Sequence, residues 1–381
     1  MLSGSPMRET HNKPRVVLVT SATAYTTGVS IYRSLQRVAD VMVISDTDEI
    51  PSTVRSSRGA QIEELIRDVG FDPDLLLFVE GGSMRLFPRN VQLLSCPTAW
   101  YGIDTHMDIE KHLAYARMFK QTYVAQREYV SVLKDNSSHN SEWLPLAFDT
   151  DLAPYEATDL VYDVSFVGSL DSRIHPERTK LIERLDNLGL RTFFGRTTAT
   201  EMYRIYAQSR VVFNKSVNND LNMRYFEAIG SGALLLTDRI QNNGRKELFK
   251  IDRDYIDYTP DTFEADVERA LKLSETVDRA ERIQPILEAH TYDHRADRIV
   301  GVALDSSNSS QRFVLKSDEA YVALSVGDYR WFRESVLCLL NRWLKGVART
   351  LFRPVRSGFV ISVALVGLVR RLRAFRRRMS L

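Results

Sequence analysis

Short continuous apolar runs alternate along this chain with stretches whose apolar residues recur at helical spacing. RVVLVT at Arg15–Thr20 suits a strand buried on both faces; a polar loop covers 21–28, an amphipathic helix 29–38 and a second strand 41–45. Strands are also predicted at 75–79, before Glu80-Gly81-Gly82-Ser83, and at 98–103, before Asp104-Thr105-His106. Later the rhythm resumes with a strand at 162–167, a Gly168-Ser169-Leu170 turn and a helix through Leu181 and Ile182. A strand at 191–194 ending at Gly195-Arg196, a helix carrying Met202, Tyr203, Ile205 and Tyr206, and a strand at 211–214 follow. Strands and helices alternating at this spacing predict doubly wound parallel sheets, whose ligands sit beyond the carboxyl ends of the strands.

The segment 214–238, NKSVNNDLNMRYFEAIGSGALLLTD, carries the most chemistry. Tyr225, Phe226, Ala228 and Ile229 supply the apolar part of a short helix, Gly230 and Gly232 stop it, and 233–237 is a buried strand. Glu227 then lies near a crevice, where a carboxylate can accept both hydroxyls of a ribose. Arg224, one turn earlier, can meet a diphosphate with a planar, permanently charged fork. An ordinary surface pair between the two is the plainer alternative. Upstream, the strand, Gly168 turn and helix with Arg173, Arg178 and Lys180 form an anion cradle in outline.

The first half begins like a dinucleotide-binding fold without its fingerprint. Its loop SATAYTTG has one glycine, Gly28, where such a site needs three, so Asp46 reads as a strand-end loop residue. Asp104 and His106 at a strand's end can orient or deprotonate an acceptor hydroxyl. Glu80 is a candidate for the same acceptor side, as is Gly28, although structural roles for a lone histidine are commoner. Residues 144–154, LPLAFDTDLAP, read as the interdomain hinge.

The succession FVGSLDSR…PER, G…Y…Y…S…FNKS, N…MRYFEAIGSGALLLTD, ELF and AHTYDHRADRIV resembles the C-terminal half of a GT-B glycosyltransferase over about residues 162–300. The resemblance is to the group 1 type and its CgeB-like, spore-maturation branch. It implies two Rossmann-like domains facing a cleft, with Glu227 on the nucleotide ribose. It also implies that Arg173 and Arg178 face the diphosphate, joined by Arg224, while Gly168, Gly195 and Arg196 line the nucleotide site. Retaining enzymes of this type commonly carry a glutamate eight positions before the ribose-binding one, and this chain has Asn219 there, followed by Asp220. Those two either hydrogen-bond sugar hydroxyls or cap the next helix. Asp46-Thr47-Asp48 and Asp149-Thr150-Asp151 spell the metal-binding triplet of the other large glycosyltransferase fold, but in no matching context. The resemblance therefore implies no cofactor and no metal, with basic residues and helix N-termini stabilising the leaving diphosphate.

Composition and charge refine this picture. With 381 residues, 44% of them hydrophobic, the chain can bury two domain cores. Its two cysteines, Cys96 and Cys338, form no disulfide framework, and the polar first twelve residues do not read as a signal peptide, so a cytoplasmic setting is expected. Residues 341–381 contain eleven of the 51 basic residues and none of the 49 acidic ones. Leu340, Trp343, Leu344, Val347, Leu351 and Val355 recur there at helical spacing, with arginines and Lys345 on the other side. The later apolar run at 358–369 would rise about 18 Å as a helix, short of a bilayer core of roughly 30 Å. The tail is thus expected to lie on an anionic membrane face. A helix packed back on the body or a nucleic-acid contact are the alternatives, and the interleaved Leu, Val, Ile and Phe argue against the latter.

The expected protein is α/β: a flexible N-terminus at 1–12, an acceptor domain at 13–150, a donor domain at 151–305, a linker and helix at 306–335, and a basic amphipathic membrane-association tail at 336–381. Its expected activity is that of a metal-independent, retaining, hexosyltransferase-like enzyme. It would move sugar from a nucleotide-sugar donor to a glycan, lipid-linked or protein acceptor at the cytoplasmic membrane face. Three alternatives stay open: a sugar-nucleotide epimerase, a binding or surface-assembly protein without turnover, and a nucleic-acid-modifying transferase.

Overall fold

The computed structural model describes residues 13–305, apart from 25, 57–60, 82–88, 90, 137–139, 154–158 and 242. Two sheets organise them. The first contains β1 (Arg15–Thr20), β2 (Asp40–Ser45), β3 (Val54–Arg55), β4 (Leu75–Val79), β5 (Thr98–Gly102), β6 (Gln121–Val124) and β7 (Ser141–Trp143). They lie in the order β3-β2-β1-β4-β5-β6-β7, with α1 (Thr27–Val38), α2 (Ile62–Val69), α3 (Ile109–Ala116) and α4 (Tyr129–Asn136) between them in sequence. The second contains β8 (Tyr162–Val167), β9 (Thr192–Gly195), β10 (Ser209–Phe213), β11 (Leu234–Asp238) and β12 (Tyr255–Tyr258), in the order β12-β11-β10-β8-β9. Its helices are α5 (Pro176–Asp186), α6 (Ala199–Ala207), α7 (Met223–Gly230), α8 (Arg245–Leu248) and α9 (Phe263–Thr276), followed by α10 (Arg279–Ala289) and α11 (Tyr292–Leu304).

The named strands pair in parallel, as buried apolar runs such as RVVLVT and LLLFV require when helices cover both faces. In each sheet the first strand acquires neighbours on both sides: β1 lies between β2 and β4, and β8 between β9 and β10. Connections leave those two pairs in opposite directions, which opens a crevice at the strands' carboxyl ends. The candidate residues collect at these two crevices.

The expected hinge is a buried joint. Leu144, Leu146, Ala147, Phe148 and Asp149 are all buried. Pro145 O accepts from Tyr101 Oη at 3.1 Å and from Arg295 Nε at 2.7 Å, and the Phe148 N–H donates to His290 O at 2.9 Å. Helix α11 also departs from the division at residue 150: it follows the second sheet in sequence but packs on α1, β4 and β5 of the first. Ala296, Ile299 and Val300 on α11 are buried in a core cluster that runs without a break from Val16 and Leu77 to Tyr203 and Phe226.

Strands β6 (QTYV), β7 (SEW) and β12 (YIDY) have no counterpart in the predicted pattern. They are short and mix polar with apolar residues, and their pairing partners supply what the local sequence does not. Residues 306–335 and the basic tail 336–381 lie outside the described residues. Among the described residues no helix is long and apolar enough to cross a membrane.

Candidate active site

The crevice of the second sheet is spanned by one side chain. Arg224, on the first turn of α7, donates through Nη2 to Val167 O at the end of β8 and through Nη1 to Asn214 Oδ1 just past β10, both at 2.8 Å. Its Nε donates to Tyr206 Oη at 3.0 Å. The guanidinium lies 4.6 Å from the centre of the Phe166 ring, and that of Arg178 lies 5.3 Å from the same ring. Arg178, buried on the first turn of α5, donates to Ser169 O at 3.4 Å and Lys215 O at 3.3 Å, while its Nε has no partner.

Neither arginine has a carboxylate within ion-pair distance among the described residues. Burial, and then the neighbouring Arg224, push the pKa of Arg178 down to about 10. The buried Arg178 and the half-buried Arg224 are adjacent cations whose acceptors are uncharged oxygens, carbonyls and the Tyr206 hydroxyl, which makes a site suited to an anion. Gly168 keeps its approach open, since a Cβ there would come within 2.8 Å of the Phe166 ring and 3.2 Å of Arg224 Nη2.

Glu227 stands one turn beyond Arg224 and is 7% exposed. No hydrogen bond or ion pair engages its carboxylate among the described residues. Burial pushes its pKa up to about 7, with Arg224 opposing and Asp149 adding to the rise. Its charge reaches the phenols of Tyr203, Tyr206 and Tyr292, so the carboxylate sits where α6, α7 and α11 converge. A surface ion pair with Arg224, the plainer alternative, is not what the fold builds.

Other predicted residues lie elsewhere. Arg173 is exposed, and its guanidinium is held by both oxygens of Asp171, at 2.9 and 2.6 Å. Arg196 is exposed at the end of β9, within electrostatic reach of Asp171 and His175, while Gly195 O accepts from the Gly168 N–H at 2.8 Å. Asn219 is a clamp: its Nδ2 donates to Gln241 O at 2.8 Å and its Oδ1 accepts the Gln241 N–H at 2.9 Å. It and Asn218 are left-handed, with φ of 65° and 49°. Neither Asn219 nor Asp220 caps α7, whose N-cap is Asn222. Asp220 is buried and its Oδ1 accepts the Val217 N–H at 2.6 Å; burial raises its pKa to about 6.

The first sheet provides the opposite wall. Glu80 Oε2 accepts the N–H groups of Ile103 at 2.5 Å and Asp104 at 3.0 Å, and its Oε1 lies 3.3 Å from His112 Nε2. Burial works against its charge, yet His112 and the two amides hold Glu80 below the usual carboxylate range. Glu80 thus shapes the loop after β5 from beneath. Asp104 is exposed at the cleft but crowded by its walls; that partial desolvation, then Glu80, raises its pKa to about 7, and Asp220 of the other domain adds to the rise. His106 is half-buried, its Nδ1 has no partner, and burial lowers its pKa. At Gly28, on the first turn of α1, a Cβ would come within 2.4 Å of Thr20 Oγ1, so the helix start lies directly against the end of β1.

Two residues here escaped prediction. His112 is a lone histidine on a short helix, and no local signal marks it. Glu128, just after β6, has a buried Oε2 without a partner and a pKa raised by burial, with the charge of Asp220 adding to it. Only recognition of β6 as a strand would have placed it at the cleft. Among the described residues no three His, Cys, Asp or Glu side chains are arranged to hold a metal ion.

Residues 166–301 match the family model described as glycosyl transferase-like. The architecture is that of GT-B glycosyltransferases. A glycosyltransferase from Rickettsia africae covers 79% of this chain and 100% of its own, with a TM-score of 0.54 at 11% identity. The catalytic domain of starch synthase IV from Arabidopsis thaliana, bound to ADP and acarbose, covers 78% and 100% with a TM-score of 0.54 at 11% identity. An alpha-glucosyltransferase in complex with UDP and a 13-mer DNA covers 77% and 99% with a TM-score of 0.51 at 11% identity. At such identities the likeness is one of fold. No curated protein sequence matches the chain.

Proposed function

We propose that this chain is a glycosyltransferase that moves a sugar from a nucleotide-sugar donor bound on the second sheet to an acceptor hydroxyl presented by the first. One observation carries this: the buried carboxylate of Glu227, without a partner among the described residues, lies beside the half-buried Arg224, which with the buried Arg178 flanks the Phe166 ring at the crevice of the sheet that matches the glycosyl transferase-like model. In this reading Glu227 accepts the ribose hydroxyls, Arg178 and Arg224 take the diphosphate, and the Gly195-Arg196 turn meets the base edge. Arg173 stands at the rim. The arginines offset the charge that grows on the departing diphosphate as the sugar's anomeric C–O bond breaks. Asp220 hydrogen-bonds the donor sugar.

On the acceptor side, Asp104 draws off the hydroxyl proton and neutral His106 orients the hydroxyl as the new glycosidic bond forms. The carboxylates of Asp104 and Glu128 have no cationic partner among the described residues, which disfavours a polyanionic acceptor. A glycan, a lipid-linked saccharide or a protein hydroxyl fits this wall better than nucleic acid. The basic composition of residues 341–381 and the resemblance to the CgeB-like branch support an acceptor near the cytoplasmic membrane face.

The test is thermal unfolding of the protein against UDP-, GDP-, ADP- and CMP-sugars, with Glu227→Ala as control. A donor at a hundred times its Kd should add about 2.7 kcal/mol of stability, and the substitution should abolish the gain. A gain that survives Glu227→Ala, or no gain with any donor, overturns the assignment. Asn219, whose amide is held by Gln241 rather than turned to a sugar, is the observation that favours a binding protein without turnover. Donor hydrolysis measured on the same samples separates the two.

A further inference from the structure

The loop that carries Asp220 belongs to the second domain, yet a side chain of the first domain holds it. Gln126, two residues beyond β6, is 1% exposed, and its Oε1 accepts the backbone N–H of Leu221 at 3.1 Å. Leu221 is itself 1% exposed and lies between Asp220 and Asn222, the N-cap of α7. Its buried N–H lies just ahead of the helix and needs an acceptor, and the opposite domain supplies it.

Within its own domain the loop is held by short-range and lateral bonds. The Val217 N–H donates to Asp220 Oδ1, the Asp220 N–H donates to Val217 O at 3.1 Å, and Asn219 clamps Gln241. Two consecutive left-handed asparagines are an unfavourable backbone that surrounding structure must over-determine. Asn222 Nδ2 donates to Asn214 Oδ1 at 3.2 Å, the same oxygen that accepts from Arg224. A shift at Leu221 would thus reach both Asp220 and the arginine that spans the crevice. The domains also meet beside Gln126, where Arg127 pairs with Glu247 and the Trp143 ring packs against Gly244.

We propose that Gln126 is a positioning residue for the donor site: through its hydrogen bond to Leu221 it sets loop 217–222 and the start of α7 when the two domains are closed. The donor sugar is then correctly held only once the acceptor domain has closed over it, which ties reactivity to the presence of both walls. This rests on the donor-site reading above.

The test uses the full chain with Gln126→Leu, which removes the acceptor oxygen, and Gln126→Glu, which keeps one. Without ligand, amide exchange in the peptide covering 214–224 should quicken about tenfold or more in the leucine variant and stay near the wild-type rate in the glutamate variant. With a nucleotide-sugar from the panel that binds the wild type, the leucine variant should bind the nucleoside diphosphate as before. It should lose roughly tenfold in the kcat of donor hydrolysis, with the donor KM little changed, and Gln126→Glu should restore the rate. Unchanged exchange and turnover in Gln126→Leu overturn the proposal. A fall in nucleoside diphosphate affinity and unfolding temperature that the glutamate variant does not rescue also overturns it, since Gln126 would then be a mere packing residue. Failure of every donor to bind the wild type sinks the donor reading itself, and the exchange measurement still decides whether Gln126 holds the loop.

Discussion

The buried Glu80 accepts two backbone N–H groups, whereas Glu227, proposed to accept the ribose hydroxyls, is buried without a partner among the described residues. Folded, its pKa is about 7, against an ordinary value of 4.5. Between those pH values the folded chain retains a proton that the unfolded chain releases. The stabilisation is present near pH 4.5 and is lost as pH rises through 7. Glu227→Gln cannot ionise, so it should match the wild type near pH 4.5 and exceed it by about 2 kcal/mol at pH 8, read from urea unfolding at both values. Equal stability at pH 8 would mean that the carboxylate has a partner after all. Donor binding should run the other way, strengthening as pH rises through 7, because the ribose hydroxyls need the charged acceptor. Binding of the nucleoside diphosphate alone, which leaves out the sugar that Asp220 is proposed to meet, reads this group most directly, whereas turnover mixes it with Asp220, raised to about 6, and Asp104, raised to about 7. The identity of Glu227 and its place in a crevice were legible in the sequence, whereas the clamp role of Asn219 was not. An asparagine looks alike whether its amide meets a sugar or the Gln241 backbone, and that partner lies 22 residues away.

At the scale of elements, the site depends on α7 lying close against the joint between the domains. Gly230, the last residue of α7, makes this possible, because a Cβ there would come within 2.4 Å of the Phe148 ring. Phe148 cannot yield easily: its N–H donates to His290 O, its O accepts the Tyr292 N–H at 3.1 Å, and its ring meets Tyr203 edge-on. Gly230→Ala should therefore cost about 1–3 kcal/mol, measured by urea unfolding, and an unaffected midpoint would show that the joint repacks freely. Two arginines of α10 brace the far end of the helix. Arg279 donates to Ala207 O and Ser231 O, and Arg282 to Gly232 O, meeting carbonyls that helix ends leave open. The glycines that end α7 were readable from the local sequence. The braces were not, since nothing near Arg282 in sequence indicates which carbonyls it will reach.

At the scale of the whole molecule, α11 returns from the second sheet to cover the first, with Arg37 of α1 paired to Asp293 of α11 and to Asp151 of the hinge segment 144–154. Closure is thus built into the chain path as well as into the cleft. The basic tail at 341–381 poses a separate question of place. If it holds the enzyme on an anionic leaflet, its deletion should release the protein from liposomes containing anionic lipid while leaving donor binding on the body intact. Co-sedimentation measures this, and undiminished binding after deletion sinks the membrane assignment.

The sequence by itself determined the alternation of buried strands and amphipathic helices, the two parallel sheets, and the short helix that presents Arg224 and Glu227. These follow from periodicity and from glycine positions, which are local properties. Only the tertiary structure decided that Arg178 joins Arg224 while Arg173 turns away to Asp171, that Glu80 shapes a loop and leaves Asp104 facing the cleft, and that Gln126 holds a loop of the other domain. Each of those outcomes is a competition among partners distant in the chain, settled by burial and by which donor meets which acceptor once the sheets have packed.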